Sequence, residues 1–139
     1  MTGFDAYRRA QAATAHVDAR QVEADALLRI ARELEQSQEA GGKPLVEALF
    51  RNIQVWKVFG FDCAGDGNRL PADLKAQIIS LSVWVVAQSE KAMAGDVGVD
   101  ALIDVNRTIA RGLMTGIAAG QGNAPATIAT DSIPGLGVA

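Results

Sequence analysis

The sequence predicts an all-α protein, a small bundle of about four helices with an N-terminal arm and a flexible C-terminal tail. Three observations point there. Apolar residues recur at three- and four-residue steps through four separate segments, the period of a helix with a buried face. Gly41–Gly42, Pro44, Pro71 and Gly95 stand between those segments, where glycine ends helices and proline opens them. The chain is 139 residues long and 49% apolar, one domain's worth with enough apolar side chain for its own core.

Residues 1–17 read as a short helical or loosely ordered arm to which Phe4 and Tyr7 give an apolar edge. The first helix is expected from about Asp18, as its N-cap, to about Ala40, on the recurrence of Ala24, Leu27, Leu28, Ala31 and Leu34. Gly41–Gly42 supply a left-handed stop. Pro44 then opens a second helix to about residue 60, with Leu45, Leu49, Ile53 (or Asn52), Trp56 and Phe59 along one stripe. Phe50, Val55 and Val58 lie off that stripe, so this helix is expected to touch two neighbours. The stretch DCAGDGNRL, 62–70, is dense in turn formers and ends it.

Pro71 starts a third helix that runs to about Ala94, with Gly95 as terminator. Its middle, IISLSVWVVA, is apolar almost all round, as a central helix of a bundle would be. The β-branched content would also suit a buried strand. Length, the leading proline and the helix formers on both sides decide for helix. Asp100 caps a fourth helix to about Met114, with Leu102, Val105 (or Asn106), Ile109 and Leu113 on one face. Residues 1–115 are thus read as one helical domain. From Gly116 onward five glycines and two prolines accompany a single charge, Asp131, and residues 116–139 read as the flexible tail.

The composition narrows the chemistry. Cys63 and His16 are the only residues of their kinds, which excludes an intrachain disulfide, a multi-cysteine zinc site and a three-histidine zinc site within one chain. A net charge of −3 lacks the positive field that direct nucleic-acid contact needs. Asp5, Arg8 and Arg9 occupy the place of a signal peptide's apolar core, and no uncharged stretch makes a credible membrane helix. A cytoplasmic location without membrane insertion is expected. The segment from Asp62 to Asp73 has a faint calcium-loop spacing, but Ala64 fills a ligand position and a plain turn is the better reading. Asp100 and Asp104 read as a cap and a solvated carboxylate, and Cys63 as packing. No catalytic group, metal or cofactor is expected, and the chain is not expected to be an enzyme. Trp56 and Trp84 can be read as core residues or as anchors for a partner helix.

Three stretches carry a family resemblance: ALFRNIQVWKVFGFDCA (48–64), LPADLKAQIISLSVWVVAQSEKAMAG (70–95) and LIDVNRTIARGL (102–113), with DAYRRAQAAT (5–14) ahead of them. Together they resemble the flagellar protein FlaF family of alphaproteobacteria. The resemblance implies a non-enzymatic role in flagellum biogenesis, as a flagellin-binding export chaperone or regulator needed for flagellin production and export. It also implies the flagellin regulator FlbT as a fellow worker. Flagellin's terminal segments are amphipathic and form coiled coils only in the filament, so a groove on a helical bundle could cover them beforehand. Helices two to four are expected to supply that groove, with Trp56, Phe59 and Arg107 near it and Trp84 as a further anchor. Asn106, Arg107 and Thr108 are polar positions inside the third stretch and are expected on the contact surface. Two other readings stay open: a post-transcriptional regulator of flagellin mRNA acting with FlbT, and a generic helical adaptor or dimerisation module.

Overall fold

A computed structural model describes the backbone of residues 3–67 and 70–122, and the side chains of these except 12–18 and 116–122. The described residues form helices α1 (Gly3–Ala40), α2 (Gly42–Ala64), α3 (Ala72–Met93) and α4 (Asp100–Gly122), with no strand among them. The all-α expectation holds, including for the β-branched run of α3.

α1 begins fifteen residues before Asp18, so Asp18 is mid-helix and not a cap, and from Gly3 the arm takes the helical one of its two expected forms. The reason is local. No glycine or proline occurs between Phe4 and Ala40, and the stretch AQAATA (10–15) is rich in the best helix former. Burial has no part in this beginning, because residues 3–11 are all exposed. Gly41 and Gly42 adopt φ of 61° and 53°, a conformation that a Cβ would strain, and turn the chain back.

α2 runs past the expected end at residue 60, because Phe59, Gly60 and Cys63 still face the core. α3 follows the sequence closely. Pro71 is its N-cap, Asp73 lies in its first turn and Lys91 in its last. The Asp96 N–H donates back to the Lys91 carbonyl (3.0 Å), closing the helix in a Schellman-type turn at Gly95. Asp100 is the first residue of α4 and not its cap, and its carboxylate accepts from Gln38 Nε2 on α1 (2.8 Å). α4 also continues through Gly122, so the backbone of 116–122 is helix where a tail is expected. The rest of the expected tail, 123–139, lies outside the described residues.

α1 packs against α4 and α2, α2 also packs against α3, and α3 meets α4 only sparsely. The core is built from Leu27, Ala31 and Leu34 of α1, Leu49, Trp56 and Phe59 of α2, Ile78, Leu81 and Val85 of α3, and Leu102, Val105, Ile109 and Leu113 of α4. α2 therefore has the two neighbours expected of it. α3 is not a central helix, since Ile79 and Val83 open to solvent. Polar contacts tie α1 sideways: Arg51 Nε donates to Glu33 (2.7 Å), and Arg107 pairs with Glu35. Exposed pairs of this kind contribute about 0–1 kcal/mol each.

Candidate functional site

Three of the six residues expected on a contact surface lie in the core. Trp56 and Asn106 are fully buried and Phe59 nearly so. Trp56 and Phe59 tilt against each other, with ring centroids 5.6 Å apart. Trp56 Nε1 donates to Asn106 Oδ1 (2.7 Å), and Asn106 Nδ2 donates to Asn52 Oδ1 (2.8 Å). Asn52 Nδ2 donates to Ser89 Oγ (3.0 Å), which donates in turn to the Val85 carbonyl (2.7 Å). One directed chain of hydrogen bonds thus crosses from α2 to α4, back to α2 and on to α3. Asn106 is polar because the indole N–H needs an acceptor in a place that water does not reach. Its role is internal. Arg107 and Thr108 are half-buried, Arg107 being engaged with Glu35, and Trp84 is partly buried against the core cluster. The six do not converge on one groove.

The apolar surface lies elsewhere, on the outside of α2 and α3. Val46, Phe50, Val58 and Phe61 are exposed along α2, Phe61 by 84% and Val58 by 70%. Spaced by three, four and eight residues, they cover one broad face opposite the buried stripe. On α3, Ile79 and Val83 are one turn apart and exposed, with Ala72, Ala76 and Ala87 also exposed on the same side. The antiparallel register joins the two faces. Asn52 is bonded to Ser89, and a Cβ on Gly60 would stand 2.5 Å from Ser82 Oγ, so Phe61 is level with Ile79–Val83.

Around the other side of α2 a cleft of about 390 Å³ separates it from α1. Its walls include Val22, Ala26, Leu27, Val55 and Val58, and Glu23 and Asp62 are its only ionisable lining groups. Arg20 Nη2 donates to Glu23 Oε1 (3.2 Å). Arg20 Nε stands 3.1 Å from Glu23 Oε2 but off hydrogen-bond geometry, leaving both atoms buried without an aligned partner. Burial drives the Glu23 carboxyl up to about 7, and the charge of Asp62 and a hydrogen bond to it push the same way, against the pull of Arg20. Burial, chiefly, also pushes the neighbouring Cys63 thiol up to about 11, which keeps it protonated and poorly nucleophilic.

Sequence reasoning missed Phe61 because it ended α2 at residue 60, and missed Ile79 and Val83 by treating α3 as buried all round. The available signal was the pair Phe50 and Val58 standing off the α2 stripe. The acid pair of the cleft has no local signal, since its members are 39 positions apart. Among the described residues no group of three His, Cys, Asp or Glu side chains could hold a metal ion, and no helix is long and apolar enough to cross a membrane.

The family model described as Flagellar protein FlaF matches residues 4–113. The chain belongs to the FlaF family. Comparisons with curated proteins and with solved structures each returned no match. The FlaF match runs from the start of α1 to Leu113, a core residue of α4, and so spans all four helices and the whole hydrogen-bonded network. Membership supports a flagellar role for the chain. Within this FlaF-family protein, Trp56, Asn106 and Pro71 specify the scaffold, while Phe50, Phe61, Ile79 and Val83 are among the apolar residues that it leaves uncovered.

Proposed function

We propose that this FlaF-family protein binds flagellin in the cytoplasm before export, shielding an amphipathic flagellin segment and so supporting flagellin synthesis, secretion and filament assembly. The observation that carries the reading is the outer face of α2 and α3, where two phenylalanines and four β-branched side chains face solvent, interleaved on α2 with the exposed Gln54 and Lys57. An exposed apolar surface of this kind marks an interaction site, and the face of one helix can lie along it with anchors at i, i+3 or i+4 and i+7. Covering a Val, Ile or Phe side chain fully contributes roughly 1.5–3 kcal/mol, so a few anchors suffice for a complex that later has to release its cargo. The role requires contact alone. The net charge of −3 disfavours the mRNA-binding alternative.

Gel filtration of the full chain with purified flagellin tests the reading. The two should co-migrate, and Phe50→Asp combined with Phe61→Asp should weaken the complex about a hundredfold or more while the variant stays folded. Separate migration of the wild-type proteins, or undiminished binding by the double variant, would overturn it. A salt-dependent shift of flagellin mRNA by the isolated chain would instead favour the regulator reading.

A further inference from the structure

The lower half of the exposed α2–α3 face, at the end of the bundle where α2 stops and α3 starts, has a charge pattern of its own. Lys57 is one turn before Phe61 on α2, and Lys75 is one turn before Ile79 on α3. The two helices run antiparallel, so the lysines bracket the Phe61–Ile79 pair from opposite sides. Neither has an ion-pair partner among the described residues, and segments 57–61 and 75–83 contain no acidic residue. From this face and the course of α4 we infer that the chain's own segment 123–139 docks here. Asp131 lies between Lys57 and Lys75, and Ile128, Ile133 and Leu136 cover Phe61, Ile79 and Val83. The docked segment competes with any guest helix for the same surface. Only this biological consequence rests on the flagellin-binding reading; the docking itself does not need flagellin.

Position is the first ground for this occupant. Gln38 donates to Asp100, and Arg107 and Arg51 pair with Glu35 and Glu33, so α1 runs antiparallel to both α4 and α2. The backbone of α4 therefore reaches Gly122 at the same end of the bundle as Phe61 and Lys75. Two interhelical spacings of about 8–10 Å separate α4 from the outside of α2 and α3. Nine residues lead from Gly122 to Asp131 and span up to about 30 Å, so the acid reaches the lysines with chain to spare. Chemistry is the second ground. Residues 123–139 hold Ile128, Ile133, Leu136 and Val138 with a single charge, Asp131. An apolar segment with one acid matches an apolar face with two unpaired cations. A second copy matches it poorly, because self-pairing would bring the lysines of both copies onto one surface of like charge. A separate guest of the same chemistry is at a disadvantage, since a tether of this length gives an effective concentration on the order of millimolar.

Photo-crosslinking of the full chain with benzoylphenylalanine in place of Phe61 tests this, the product being mapped by mass spectrometry. An intrachain crosslink to residues 126–138 is expected. Ile133→Asp combined with Leu136→Asp should lower its yield about fivefold or more, and Asp131→Lys about threefold or more. Lys57→Asp with Lys75→Asp, added to Asp131→Lys, should restore the yield, which separates the charge contact from the apolar one. With Phe61 intact, the Ile133→Asp, Leu136→Asp chain should bind purified flagellin about tenfold more tightly than the wild type, because the face is no longer covered. No crosslink to 126–138, a crosslink that joins two copies instead, or a yield indifferent to these changes would overturn the inference. So would equal, measurable affinity of the two chains for flagellin. If neither chain binds flagellin while the crosslink behaves as described, the flagellin reading falls and the docking stands.

Discussion

Asn106 shows how much one buried polar side chain can organise. It accepts from Trp56 and donates to Asn52 in a place with no access to water. Asn106→Leu would leave the indole N–H and the Asn52 carbonyl oxygen unpaired, each costing about 1–3 kcal/mol, so a total loss of ~2–4 kcal/mol is expected in urea unfolding. Arg107→Ala, which removes only the exposed pair with Glu35, should cost under about 1 kcal/mol. Glu23 makes a different prediction. Its folded pKa of about 7 lies above its ordinary value of 4.5, so the folded state holds the proton more tightly than the unfolded chain does. That contribution is fully present below about pH 4.5 and is lost as the pH rises through 7. The difference in unfolding free energy between wild type and Glu23→Gln should therefore change by ~1–3 kcal/mol between about pH 5 and pH 8, the wild type losing ground as the pH rises. A constant difference would contradict the assignment. The sequence marks Asn106 as polar within an apolar stripe, but the partner across the bundle becomes visible only with the crossing of α2 and α4. For that reason an internal acceptor looks like a surface contact.

Among the elements, α2 carries the most information, because it faces α1, α3 and solvent at once. Its contact with α3 depends on Gly60, where any Cβ would stand 2.5 Å from Ser82 Oγ and 2.9 Å from Ser82 Cβ. Gly60→Ala should cost ~1–3 kcal/mol by pushing the helices apart. Because the clash is with Ser82 alone, Gly60→Ala with Ser82→Gly should cost less than the two single changes added together, as a double-mutant cycle of unfolding free energies would show. Simple addition would mean that the two helices already have room. Helix starts and stops at Pro71, Gly95 and Gly41–Gly42 were legible, since proline and glycine act through their own backbone. The ends at Gly3 and Ala64 were not. The first rests on alanine-rich propensity without a hydrophobic period, and the second on packing of Phe59 and Cys63 after turn-forming residues begin.

At the scale of the molecule, six exposed large apolar side chains lie on the outside of α2 and α3, and Phe4, Tyr7 and Val22 are exposed on α1. α1 and α4 bury their stripes against each other and their neighbours, and the buried hydrogen-bond chain locks α2, α3 and α4 in one register. The outer faces of α2 and α3 then hold apolar side chains that nothing in the described structure covers. A rigid scaffold under an apolar face suits a protein that receives a helix without reshaping itself, since preorganisation lowers the entropy lost on binding. Hydrogen exchange across the full chain, free and saturated with flagellin, tests this claim most directly. Slowed exchange is expected in the helix segments 46–61 of α2 and 76–87 of α3, with the solvent face of α4 unchanged. Slowing confined to α4, or no slowing anywhere in the bundle, would contradict it.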